Sequence, residues 1–100
     1  MTNAPDGAPD SSGRQRTLKE RPAWERELLS QIGTRIRAAR KERELTIASL
    51  AETANLDAAY LGEVERGRVN ISVTTLACLA LALGVEVVRL IPDPQRPLIG

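Results

Sequence analysis

The stretch that most constrains the fold runs from Thr46 to Asn70, TIASLAETANLDAAYLGEVERGRVN. Apolar residues recur at helical spacing in two short runs on either side of Asn55 and Asp57. Asn tolerates the positive φ that often ends a helix, and Asp is a favoured N-cap for the next one. The pattern predicts two short helices joined by a tight turn, a helix-turn-helix motif whose second helix can enter a DNA major groove.

Composition favours a helical protein over a β-sheet protein. Hydrophobic residues make up 42% of the 100 residues but aromatic residues only 2%, so the core must consist of Leu, Ile, Val and Ala. The chain has no His and one Cys, so it lacks the commonest general base and any internal disulfide or cysteine metal cluster. We expect no enzyme activity, metal or cofactor, and at this length we also expect no domain that senses a small-molecule ligand.

No hydrophobic segment of the sequence is long enough for a membrane. Apolar runs fall short of the roughly 18 residues that a span needs. The N-terminus also lacks the apolar core of a signal peptide. We therefore expect a cytoplasmic, nucleoid-associated protein without a membrane partner.

Three regions are predicted from the distribution of apolar residues. Residues 1–21 are rich in Pro, Gly, Ser and Asp and are expected to be a disordered tail with a basic end. The basic residues there are Arg14, Arg16, Lys19 and Arg21. This segment is either an arm that contacts phosphates or the minor groove, or a solvated linker. Residues 22–91 are expected to form the helix-turn-helix domain, and residues 92–100 a C-terminal tail.

Apolar spacing predicts an all-α bundle of five helices, two of them in the motif. The first helix begins near Pro22, and its apolar residues recur every four positions over about twenty residues. Gly33 interrupts this run, so the segment is either one helix with a weak point or two helices. The fourth helix is expected between Ser72 and Gly84, and a short fifth one from Val85 to Ile91.

Charge is distributed unevenly, although the formal net charge is only +1. Residues 46–65 carry four acidic groups and no basic group, whereas residues 35–43 carry five basic groups. If the motif binds DNA, its positive field must therefore come from the flanking segments. Within the basic cluster we predict phosphate contacts for Arg35, Lys41 and Arg43. The alternative interpretation of this cluster is a solvated helical face.

The predicted fourth and fifth helices carry more apolar residues than one small core can bury. An exposed apolar patch on a small protein usually marks an interface, so we predict a homodimer through this surface. The predicted interface residues are Ala77, Cys78, Leu81, Val87, Val88, Leu90 and Ile91. Leu29 and Trp24 could add to it. The alternative is deeper burial of these residues within one chain.

Residues Leu29 to Ile91 resemble the Cro and phage-repressor type (XRE) helix-turn-helix transcriptional regulators of bacteria. The matching residues are Ile32-Gly33, Ile36-Arg37, Arg40, Leu50-Ala51, Tyr60-Leu61, Val64-Glu65-Arg66-Gly67, Asn70, Leu76, Ala80 and Leu83-Gly84-Val85. The run from Asn55 to Ser72 is also similar to the small controller proteins of restriction–modification systems. The resemblance implies a Cro/phage-repressor-like fold with double-stranded DNA as the partner.

The resemblance also implies roles for single residues. Arg40 and Glu65 match a pair that forms a partly buried ion pair in the family. Positions that approach phosphates in the family correspond to Thr46, Ser49, Tyr60, Arg66, Arg68, Asn70 and Ser72. Positions that face bases correspond to Asp57, Ala58, Ala59, Gly62 and Glu63.

The recognition helix departs from the common pattern of the family. Ile47 stands where Gln is usual, and Ala58 and Ala59 stand where Gln, Arg or Ser often occur. The helix has no Arg for guanine and no Gln for adenine, so direct base readout is sparse. The leading hypothesis is a homodimeric regulator on a pseudo-palindromic operator. The alternative is a protein-interaction or antitoxin-like module on the same fold, with a second protein as its partner.

Overall fold

The computed structural model describes residues 17–92. Its four α-helices are α1 (Ala23–Glu42), α2 (Ile47–Ala54), α3 (Ala58–Glu65) and α4 (Val73–Leu83). Single 3-10 turns precede α1 at Leu18–Glu20 and follow α4 at Val87–Leu90. Residues 17–92 contain no strand, and the all-α prediction is confirmed.

The segment predicted as a short fifth helix, Val85 to Ile91, is not an α-helix. Val87–Leu90 form one 3-10 turn, and Ile91 beyond it is extended. Two features of the sequence explain the short turn. The β-branched side chains of Val87 and Val88 disfavour a helix, and Pro92 cannot continue one. The domain therefore has four α-helices and a closing turn.

The described structure begins inside the predicted N-terminal tail. Arg21 is buried, and its guanidinium donates to the carboxylate of Glu25 in the first turn of α1. Its carbonyl oxygen accepts a hydrogen bond from Arg26 at 2.8 Å. Arg21 thus packs at the beginning of α1 and is not part of an extended arm. The other predictions for the tails concern Arg14, Arg16 and residues 93–100, which lie outside the described residues.

Local side-chain chemistry sets the ends of the short helices as expected. Thr46, Asp57 and Ser72 precede α2, α3 and α4, and each side-chain oxygen accepts from the backbone N–H three residues on. These bonds are 3.0, 3.1 and 3.0 Å long. Asn55 ends α2 at φ 59° and Gly84 ends α4 at φ 72°, both in the left-handed region.

Gly33 lies where α1 crosses the last turn of α3. The helix α1 is continuous through it, so the two-helix alternative is excluded. A Cβ at this position would lie 2.5 Å from the carbonyl oxygens of Val64 and Glu65. The missing side chain therefore lets α1 and α3 approach closely, because backbone atoms cannot move aside as a flexible side chain can.

The core lies between α1 and the other three helices. Its largest fully buried side chains are Ile36, Leu50, Leu61, Leu79 and Leu90. Helix α3 packs on α1 and α2, α4 packs on α2, and the closing turn contacts α1 and α4.

This packing removes two residues from the predicted dimer interface. Leu90 is 1% exposed and Leu29 is 4% exposed within one chain. Neither side chain can therefore contribute area to a second copy. For these two residues the alternative interpretation, burial within one chain, is correct.

Candidate nucleic-acid interface

The outer face of α3 carries short, apolar side chains next to its N-cap. Leu61 and Val64 are buried, so the opposite face of α3 points outward. Asp57, Ala58 and Ala59 are exposed there. Their short side chains leave the backbone of the helix accessible to a groove.

Gly62 is buried and does not fit the prediction that it faces a base. A Cβ at this position would lie 3.2 Å from Nη1 of Arg66, so the guanidinium lies over the glycine. The surface at this turn of α3 is therefore formed by Arg66.

An ion pair joins α1 to the end of α3. Nε of Arg40 lies 2.8 Å from Oε2 of Glu65, and Nη2 of Arg40 lies 3.0 Å from Oε1 of the same carboxylate. Nη1 of Arg40 also donates to the carbonyl oxygen of Leu45 at 2.8 Å. One guanidinium thus holds α1, the α1–α2 connection and the last turn of α3 in a fixed arrangement.

Hydrogen bonding to Glu65 raises the pKa of Arg40 above its already high ordinary value, against the opposing effect of burial. A raised pKa means that the stabilisation is fully present at neutral pH. It is lost only as the pH rises through that strongly alkaline value. Arg40 therefore stays charged near neutral pH, and its titration does not make the pair depend on pH there.

The acidic group on the outer face of α3 is balanced by two arginines. Oε2 of Glu63 lies 3.1 Å from Nη1 of Arg66 and 3.7 Å from Nη1 of Arg68. All three side chains are substantially exposed, so each pair contributes little to stability. The local effect is that the end of α3 carries a net positive charge despite the acidic composition of the motif.

The basic residues of α1 divide between two sides of the helix. Arg37 and Lys41 line a cleft with Thr46 and Ile47, on the side of the helix-turn-helix motif. Arg35 and Arg43 line a separate cleft beside the closing turn. A 3.4 Å hydrogen bond links Nη1 of Arg35 to the carbonyl oxygen of Arg89 in that turn.

This division separates three of the residues that are predicted to contact phosphates. Lys41 lies on the side of the motif, whereas Arg35 and Arg43 line the cleft beside the closing turn. Arg37, which the prediction omitted, lies beside the motif. The sequence did contain a signal for it. Arg37 is three positions before Arg40 and four before Lys41, so helical spacing places the three on one face.

Polar groups near the N-termini of α2 and α4 lie at the surface. Thr46, Ser49, Asn70 and Ser72 are exposed. The hydroxyls of Thr46 and Ser49 are 3.0 Å apart and hydrogen-bonded. Tyr60 is half-buried and packs against the core, so only part of its side chain is accessible.

A second surface, formed by α4 and the closing turn, is apolar and exposed. Leu81 is 80% exposed and Val88 61% exposed. Cys78 and Ile91 are exposed as well, whereas Ala77 and Val87 are half-buried. The predicted interface residues other than the buried Leu90 are called the α4 surface. They are Ala77, Cys78, Leu81, Val87, Val88 and Ile91.

No helix within residues 17–92 is both long and apolar enough to cross a membrane. The same residues contain no group of three or more Cys, Asp or Glu side chains placed to hold a metal ion.

The capped α3, its flanking arginines and the ion pair beneath it define a DNA-binding helix-turn-helix domain. Residues 36–90 match the helix-turn-helix family HTH_3. The chain belongs to this family of DNA-binding transcriptional regulators, as the XRE resemblance implied.

Individual relatives agree with this assignment. The chain is 50% identical over 62 residues to the immunity repressor protein of Bacillus phage phi105, a match covering 62% of this chain and 43% of the repressor. The chain thus spans less than half the length of that relative.

Solved structures are also similar. The restriction–modification controller protein C.AhdI from Aeromonas hydrophila is 38% identical at a TM-score of 0.62, covering 63% of this chain and 96% of that one. SinR, a master regulator for biofilm formation, was solved in complex with DNA; it is 37% identical at a TM-score of 0.57, covering 59% of this chain and 95% of that one.

Proposed function

We propose that this chain is a sequence-specific regulator that binds double-stranded DNA as a homodimer. Two copies of α3 would enter successive major grooves, roughly 34 Å apart, on a pseudo-palindromic operator. The protein would act on the nucleoid in the cytoplasm, without catalytic activity and without a small-molecule ligand.

The observation that carries this proposal is the presentation of α3. The Arg40–Glu65 pair holds the helix against α1, and Asp57 caps the end that would enter the groove. Alanines on the outer face allow the helix backbone to approach base edges closely, and alanine methyls can contact thymine methyls. Cations lie at both edges of the helix, with Arg37 and Lys41 on one side and the pair Arg66 and Arg68 on the other.

Dimerisation is supported by the α4 surface. Leu81 and Val88 are large apolar side chains that are mostly exposed in the single chain. Exposure of such residues on a small domain is costly, and a second copy that presents the same patch would cover both. The loss of Leu29 and Leu90 from the predicted interface leaves this patch on α4 and the closing turn.

A protein-interaction module is the second candidate. The exposed part of α3 carries Asp57, Ala58 and Ala59 but no Arg or Gln for bidentate base contacts. In that case the same surface would bind a second protein, either alone or together with DNA as an antitoxin-like regulator does.

Binding to labelled duplex DNA at two salt concentrations tests the proposal. Phosphate contacts release counterions, so six of them would lower the affinity about 1,000-fold between roughly 50 and 200 mM salt. We expect steep salt dependence and competition by some sequences over others. Absence of duplex binding by the parent protein at the lower salt concentration would contradict the proposal.

A pair of matched variants shows which face of the protein binds. Ala59→Asp adds one negative charge to the outer face of α3. Ala38→Asp adds the same charge at an exposed alanine of α1, in the cleft beside the closing turn. We expect Ala59→Asp to reduce affinity at least about tenfold, which is 1.4 kcal/mol, and Ala38→Asp to leave it close to the parent value. Equal effects would mean that α3 is not the bound surface.

A further inference from the structure

A concavity opens where α1, the start of α2 and the middle of α3 meet. Its volume is about 190 Å³, which is much more than a single water needs, so the concavity has room for a phosphate group. It is lined by Arg37, Arg40, Ile47, Gly62, Glu65 and Arg66. The wider cleft that shares Arg37, Arg40 and Ile47 with it continues to Lys41 and Thr46.

The cations around this concavity differ in how far they are already neutralised. Arg40 is committed to Glu65 through two hydrogen bonds. Arg66 pairs with Glu63 at 3.1 Å. Arg37 and Lys41 have no ion pair with any of residues 17–92.

Arg37 and Lys41 are also well placed relative to each other. Both side chains are exposed, and they are four residues apart in α1, so they lie on one face about one turn apart. Glu44 also lines the wider cleft, so Arg37 and Lys41 together still leave a positive charge there. An anion at this place would meet two flexible cationic side chains.

We infer that Arg37, together with Lys41, holds a phosphate of the DNA backbone at this concavity. The inference rests on the proposed function and adds a contact that positions α3. These side chains come from α1 and not from α3, so they would set the depth and angle of α3 in the groove without reading bases. Gly62 also lines the concavity, and its missing side chain lets the guanidinium of Arg66 lie over the helix there.

The same helix supplies the matched control. Arg35 has the same charge as Arg37, is exposed and is two residues away, but it lies beside the closing turn. Arg43 lines that second cleft as well, so Arg43→Ala is the control for Lys41→Ala. A general effect of net charge would act equally through both pairs, whereas a phosphate contact would act through Arg37 and Lys41 only.

The experiment measures duplex affinity across a salt series for four variants, Arg37→Ala, Lys41→Ala, Arg35→Ala and Arg43→Ala. Each lost phosphate contact should lower the slope of log K against log salt by about 0.9. We expect this change for Arg37→Ala and Lys41→Ala, with about tenfold weaker binding at low salt. Arg35→Ala and Arg43→Ala should keep the parent slope, and Arg37→Lys should restore most of the slope lost in Arg37→Ala.

Two results would overturn the inference, and they are distinguishable. If the parent binds duplex DNA but Arg35→Ala and Arg37→Ala change the slope equally, or neither changes it, the concavity holds no phosphate and the proposed function stands. If the parent shows no duplex binding at low salt, the proposed function fails and this inference fails with it. Circular dichroism of each variant confirms that a reduced slope does not arise from unfolding.

Discussion

Nε of Arg40 lies 2.8 Å from Oε2 of Glu65, and this contact joins two residues that are 25 positions apart in the sequence. Their side chains are only 10% and 5% exposed. A buried charge pair of this kind stabilises a fold less than its geometry suggests, because both charges lose hydration. Its clearer role is to fix one arrangement of α3 on α1, and removal of one partner leaves the other charge buried without compensation.

Replacement of Glu65 by Ala should therefore destabilise the fold. We expect a loss of roughly 3–5 kcal/mol in the free energy of unfolding, measured by urea denaturation. The control is Glu52→Ala, which removes an exposed acidic group from α2 and should change stability by less than about 0.5 kcal/mol. At a temperature where Glu65→Ala is folded, its preferred DNA sequence should match that of the parent. Equal denaturation midpoints for Glu65→Ala and the parent would rule out this role.

Replacement of Gly33 by Ala tests the close approach of α1 and α3. Helix propensity alone predicts that Ala stabilises α1 by up to about 1 kcal/mol. The structure predicts the opposite sign, because the new Cβ would lie 2.5 Å from two backbone oxygens of α3. We expect a loss of about 1–3 kcal/mol. Thermal unfolding of Gly33→Ala beside Thr34→Ala, at an exposed neighbour in α1, decides between the two signs.

Two substitutions at Asp57 separate its capping role from a role in base recognition. Asp57→Ala removes the hydrogen bond to the backbone N–H of Tyr60 and should cost about 1 kcal/mol of stability. Asp57→Asn keeps a capping oxygen and should be nearly as stable as the parent. If the carboxylate also accepts from a cytosine, Asp57→Asn will change the preferred base at full stability. A stability loss as large in the Asn variant as in the Ala variant would contradict the capping account.

The dimer prediction can be tested with two equally exposed residues of one helix. Leu81 and Val73 are both 80% exposed, but Leu81 lies within the α4 surface, whereas Val73 lies at its edge, one turn before Ala77. Leu81→Lys would place two like charges in a symmetric interface and should weaken dimerisation at least about tenfold. Val73→Lys, at the edge of the surface, should weaken it less. Sedimentation equilibrium measures both, and a monomeric parent at roughly 50 µM, a concentration high enough to populate a specific dimer, would remove the basis of the prediction.

Local features were predictable because the chemistry that produces them is local. Thr46, Asp57 and Ser72 each cap a helix through a bond to a residue three positions on. Asn55 and Gly84 adopt the left-handed conformation that their residue types favour. By contrast, Glu44 also has a positive φ, of 56°, and its residue type gives no indication of it. There the positive φ belongs to the tight α1–α2 connection, in which the N–H of Glu44 donates to the carbonyl oxygen of Lys41 and the N–H of Leu45 to that of Arg40.

Features that depend on direction in three dimensions were harder to predict. Arg35 and Arg37 are neighbours in a basic cluster of the sequence, yet the helix turns them to opposite sides. Leu90 has the composition of an interface residue, yet the closing turn folds it into the core. Whether Gly33 breaks a helix or permits a close contact depends on what packs against it, and that information lies 31 residues away at Val64.

Selection of bound duplexes from a randomised library tests the central claim most directly. The parent protein is incubated with the library, bound duplexes are recovered over several rounds and then sequenced. We predict an enriched inverted repeat whose half-site centres lie about one helical turn, roughly 34 Å, apart, as two copies of α3 in successive major grooves require. Failure to enrich any sequence, or enrichment of a single half-site without a repeat, would contradict the account of a dimeric, sequence-specific DNA-binding regulator.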